Sequence, residues 1–214
     1  LTTQEPPTLR KSLVFVSRPD AVQSEVRLGH PGVSRNSEDY HALLVLNMVL
    51  GGQFVSRINL NLREDKGYTY GANTSFDFRV GRGPFSFSSS VQTSVTAAAI
   101  REAIQEIQEI QTTRPPTANE LRVARDALTR GFPLGLETAS QVARVGTTLA
   151  LHGLPVDEMD NFVQRVMAVD LDRVVAAAKT HLHPDKLVTV VVGSPDEVLP
   201  SLESLGLGTP SLVE

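Results

Sequence analysis

A chain of 214 residues with 41% hydrophobic content is long enough to bury one substantial core, so a single domain is the default. A formal net charge of -4 gives no bulk attraction to nucleic acid or anionic lipid, and neither is expected as a partner. The absence of cysteine excludes disulfides, thiolate metal sites and cysteine nucleophiles, and leaves periplasm, cytoplasm and organelle all open as compartments.

No run of eighteen apolar residues occurs, so no membrane span is expected. The first ten residues, "LTTQEPPTLR", have neither a starting methionine nor the apolar centre of a signal peptide, which suggests a piece of a longer chain. Paired prolines and small polar residues make residues 1–10 a linker, ahead of a folded domain over 11–205 and a loose tail over 206–214.

"SLVFV" reads as a short apolar strand, and Val22, Ser24, Val26 and Leu28 alternate with polar neighbours in the period of a second, so the two are expected to form a hairpin. Ser37, followed by Glu38 and Asp39, predicts a helix over 38–50, deeply packed because "LLVLNMVL" is apolar on nearly every side. Gly51 and Gly52 break it, and a second helix over 54–64 is expected to place Phe54, Ile58 and Leu62 on one face.

Phe76, Phe78 and Val80, then Phe85, Phe87 and Val91, predict a second hairpin across "GRGP", with the phenylalanines facing the core. A helix over 95–111 carries Ile100, Ile104 and Ile107 on one stripe, and Thr117 with Glu120 forms a capping box that opens another. Helices follow through "ASQVARVGTTLALHG", "VDEMDNFVQRVMA" and "LDRVVAAAKTHL"; "KLVTVVVG" then reads as a buried strand and "SPDEVLPSLESLG" as a short final helix. The order predicts an α+β fold, a two-layer sandwich in which an antiparallel-rich sheet is covered on one face by helices.

Chemistry is sparse. None of the five histidines belongs to a His-Glu-x-x-His or His-x-x-Glu-His spacing, and His181 and His183 read as a helix C-terminal pair favoured by the dipole, so no metal is expected in this chain. No Gly-x-Ser-x-Gly elbow or phosphate-cradling loop is present, and "REAIQEIQEIQ" reads as a solvated helix face. The concentrated stretch is "LREDKGYTYGANTSF", which sets Arg63, Tyr68 and Tyr70 beside Gly67 and Gly71 in a chain with only three tyrosines. Helix-end and strand preferences account for those residue types. A guanidinium and two phenols at one junction also suit binding of a peptide carbonyl or a developing oxyanion, and on spacing alone both readings stand.

The stretch from "LNMVLGGQF" through "SRINLNLREDKGYTYGANTSFDFRVGRGPFSFSSSVQ", with "PPTANELRVARDALTRGFPLGLET" and "LHPDKLVTVVVG", resembles the metal-free half of pitrilysin/insulysin-type zinc metallopeptidases, the group that includes mitochondrial processing peptidase. The likeness runs from about Lys11 to Gly193. It implies two similar α+β halves closing like a clamshell, one holding zinc and the other contributing an arginine and a tyrosine to the substrate site. On that pattern the arginine is Arg63 and the tyrosine Tyr70, with Tyr68 an additional phenol that could serve instead. The zinc motif matches nothing in this chain, so zinc and the general base are expected in a homologous partner domain or subunit, with a peptide as substrate and this fragment inactive alone. The same fold also serves as a non-proteolytic assembly subunit, which is the alternative the resemblance allows.

Overall fold

The computed structural model describes residues 12–213. The linker expected over residues 1–10 lies outside them. Six strands form one mixed sheet, β1 (Ser12–Ser17), β2 (Gln23–Pro31), β3 (Thr69–Phe76), β4 (Pro84–Gln92), β5 (Val188–Gly193) and β6 (Ser211–Val213), in the order β3-β4-β2-β5-β1-β6. The inward positions Leu13, Phe15, Val26, Leu28, Phe85, Phe87, Val91 and Val191 are buried, while Glu25, Arg27, Ser86 and Ser88 on the other face keep solvent contact. Helices cover the apolar face, as the α+β sandwich requires. No helix among the described residues is long and apolar enough to cross a membrane.

β1 and β2 do not form the expected hairpin. β5 lies between them, parallel to β1 from Ser12↔Val188 and antiparallel to β2 from Glu25↔Val192. An apolar run such as "VTVVVG" gains most from neighbours on both sides, and nothing local to the first two strands could show that it would insert there. Ser211–Val213, within the segment expected as a loose tail, pair with β1 as the parallel edge strand β6. The second hairpin forms as expected between β3 and β4, but Phe78 and Val80 fall beyond the end of β3, and Val80 is exposed.

α1 (Tyr40–Leu50) starts two residues later than the Ser37 signal suggested, because the Ser37 hydroxyl accepts the Asp39 N–H and its carbonyl accepts the Tyr40 N–H in a turn outside the helix. Its burial is as deep as expected, with Ala42, Leu43, Val45, Leu46, Val49 and Leu50 enclosed. α3 (Thr96–Glu109) buries Ile100 and Ile107 with Ile104 packed at the margin, and α4 (Ala118–Gly131) carries both arms of the capping box. The chain continues through α5 (Ala139–His152), α6 (Phe162–Met167), α7 (Leu171–His181) and, after β5, α8 (Pro195–Leu202).

Candidate substrate-binding site

The stretch after α1 folds as two turns of unlike pitch. The expected helix over 54–64 forms only as α2 (Arg57–Asn59), running directly into a π-helical segment, Leu60–Asp65. Ile58 and Leu62 are buried together, but Phe54 lies ahead of the helix with 58% of its surface exposed, so the three do not share a buried face. Gly67, at φ 67, reverses the chain into β3, a conformation that favours glycine.

Gly51 sets the floor of the region. A Cβ there would stand 2.6 Å from the Thr74 backbone nitrogen, and the Gly51 carbonyl accepts the Thr74 N–H at 3.0 Å, so the end of α1 touches β3 directly. The next outward-facing donor, Ala72 N–H, goes to Asn59 Oδ1 at 3.1 Å. β3 is an edge strand, yet at these two positions its free edge is already occupied.

The register of β3 against β4 slips between Thr69↔Val91 and Ala72↔Ser89, a bulge of one extra residue. The Thr69 side chain pins it: its hydroxyl accepts the Gly71 N–H at 3.1 Å and donates to the Ser90 carbonyl at 2.6 Å. Thr69 and Ala72 therefore point inward while Tyr70 and Gly71 both face solvent, Tyr70 with 89% of its surface exposed. Tyr68, just before the strand, is half-buried against the core.

Arg63 projects from the π-helical segment beside them. Its guanidinium carbon lies 4.3 Å from the centroid of the Phe54 ring, and among the described residues its one carboxylate neighbour is Glu64 at 3.5 Å, a solvent-screened contact. Arg63, Tyr68 and Tyr70 line one surface concavity of about 400 Å³, and Arg63 and Tyr70 also line an adjoining one of about 370 Å³ with Phe54 and Asn59. Tyr70 thus borders both hollows and Tyr68 only the first. The order of the residues in sequence gave no sign of the π-helical turn, of Phe54 beneath Arg63, or of Asn59, although a polar residue between Ile58 and Leu62 was a visible irregularity.

Three larger hollows lie elsewhere, and in the two largest the central charged groups pair with one another. In one of about 500 Å³, Arg35 donates to Glu158 at 3.0 Å and stacks on Tyr40, while Arg165 holds the second Glu158 oxygen. Burial alone would raise the Glu158 carboxyl, but the two guanidinium groups bring it below its ordinary value. In the other, about 670 Å³, Arg57 forks onto Glu120 at 2.6 and 2.8 Å; despite burial, Arg57 and Thr117 hold that carboxyl at about 2. Among the described residues no three His, Asp or Glu side chains converge as metal ligands. His181 Nε2 sits 2.7 Å from Asp39 Oδ2, and the His183 backbone N–H reaches His30, so this pair knits the end of α7 to the sheet and to α1.

The described residues thus form a two-layer α+β domain with an arginine and an exposed phenol at one sheet edge. Residues 2–128 match the family described as the peptidase M16 inactive domain, and the chain belongs to that family. It is 30% identical over 195 residues to an uncharacterized zinc protease of Mycobacterium tuberculosis, covering 85% of this chain and 41% of that protein. An uncharacterized zinc protease of Bacillus subtilis is 28% identical over 191 residues, with 84% and 43% covered. A solved peptidase M16 inactive domain from Pseudomonas fluorescens superposes with a TM-score of 0.79 at 28% identity, covering 90% of this chain and 46% of that one. The chain spans less than half the length of these relatives.

Proposed function

We propose that this domain is the substrate-binding wall of a zinc metallopeptidase, in which Arg63 and Tyr70 hold the peptide and stabilise the transition state while a homologous partner half carries the metal. The observation that supports this most is that Arg63 and Tyr70, two side chains that donate no hydrogen bond among the described residues, border the same pair of hollows beside the β3 edge. Zinc bound in the partner half supplies a Lewis acid and an activated water for amide hydrolysis. This chain's part is positional and electrostatic. The Arg63 guanidinium, steadied by the Phe54 ring, offers paired N–H donors to a main-chain carbonyl, and the Tyr70 hydroxyl donates where negative charge gathers on the scissile oxygen.

Closure of two halves around the site would exclude water and strengthen both interactions. Because the outward donors of Ala72 and Thr74 are engaged within the domain, extension of a sheet by the peptide falls to the partner half, and recognition here rests on side chains. The test is peptide cleavage by this domain reconstituted with a zinc-bearing half. Arg63→Ala and Tyr70→Phe should each lower turnover roughly ten- to thousandfold. Unchanged rates in both variants would remove the site assignment, and an assembly that cleaves no peptide would favour a structural role for the same fold.

A further inference from the structure

Asn59 is only 5% exposed and uses both ends of its amide at the site. Its Oδ1 accepts the N–H of Ala72, the residue that closes the β3 bulge, at 3.1 Å, and its Nδ2 donates to the Phe54 carbonyl at 2.7 Å. Tyr70 lies within that bulge, and the Phe54 ring lies beneath the Arg63 guanidinium. One side chain therefore ties the backbone of both walls of the smaller hollow to the helix that carries Arg63. Arg63 follows four residues later across the π-helical turn, whose wider pitch departs from the regular helix and sets the direction in which the guanidinium leaves the backbone. A leucine at position 59 would fill the same space and supply neither hydrogen bond, so packing alone does not explain the amide.

We infer that Asn59 is a positioning residue that fixes the Tyr70 bulge and the Phe54 turn relative to Arg63. The inference rests on the reading of Arg63 and Tyr70 as substrate-binding groups. Asn59 touches no substrate in this account; it acts through the backbone on either side of it.

In the peptidase assembled with its zinc-bearing half, Asn59→Ala should lower kcat roughly ten- to hundredfold, because small misplacements of positioned groups are that costly. KM should change by less than about threefold, since the lost interaction is made mainly in the transition state. The discriminating measurement is the double variant. In a Tyr70→Phe background, Asn59→Ala should cost several-fold less than in the wild type, as one of the two groups it positions is already gone, whereas losses that simply multiply would overturn the inference. Asn59→Asp, of the same shape, keeps the acceptor for Ala72 and loses the donor to Phe54; its kcat should fall between those of the wild type and Asn59→Ala, and it carries the test if the alanine variant fails to fold. Wild-type kcat in both Asn59 variants, with Tyr70→Phe impaired, would defeat this inference alone. A silent Tyr70→Phe would defeat the reading of the site and this inference with it.

Discussion

Acidification below pH 6.5 should destabilise the domain through His30. His30 is 2% exposed on β2, stacked on Phe85 with ring centroids 5.0 Å apart and edge-on to His183 at 5.1 Å. Its Nδ1 lies 3.0 Å from the Pro31 carbonyl, which can only accept, so Nδ1 carries the proton. Nε2 is then the acceptor for the His183 N–H at 3.2 Å. A second proton would land on Nε2, directly against that N–H, in a site where burial already disfavours charge.

Burial lowers the His30 pKa from 6.5 to about 4, against the smaller opposing pull of the Pro31 carbonyl. The unfolded chain binds the proton more readily than the folded one, so stability is full above pH 6.5 and falls as the pH drops toward 4. The loss across that window is about 3 kcal/mol, a large share of a typical domain's stability. His41 and His183 are also lowered and act in the same direction, so the measurement is a difference. Urea midpoints between pH 7 and 4.5 should fall steeply for the wild type and less steeply for His30→Gln, whose amide can donate to Pro31. Identical slopes, or a His30 resonance titrating at its ordinary value, would refute the reasoning.

Three further outcomes follow from the geometry. Gly51→Ala drives a methyl against both the backbone nitrogen and the side chain of Thr74, and should cost about 1–3 kcal/mol in chemical denaturation while disturbing the site beside it. Glu158→Ala strands the Arg35 guanidinium, whose side chain is 8% exposed, and should lower stability by about 3–5 kcal/mol in the same assay. Dialysis of this chain against a chelator should leave its thermal midpoint unchanged to within about 1 °C, and metal analysis should find no stoichiometric zinc; one tight zinc per chain would contradict the division of labour.

The sequence made local features legible and left the long-range ones hidden. The capping box at Thr117 and Glu120, the apolar face of α1 and the β3–β4 hairpin each rest on residues near one another in the chain, so periodicity and turn chemistry found them. The insertion of β5 between β1 and β2 joins segments some 159 to 176 residues apart, beyond the reach of any local pattern. Arg63 and Tyr70 were visible as types at a junction, but their relative placement depends on a π-helical turn and a one-residue bulge, each of which shifts every later side chain onto a new face. Phe54 lies off the expected face for a different reason: it precedes the helix, which begins only at Arg57.

The central claim is that this domain grips the peptide and the companion half cuts it. The most direct measurement is a structure of the assembled peptidase with a peptide trapped in the closed chamber. The account predicts the Tyr70 hydroxyl or the Arg63 guanidinium within roughly 3.2 Å of a main-chain carbonyl at or next to the scissile bond. A peptide bound for cleavage with both groups more than roughly 5 Å from its backbone, and no water between, would contradict it.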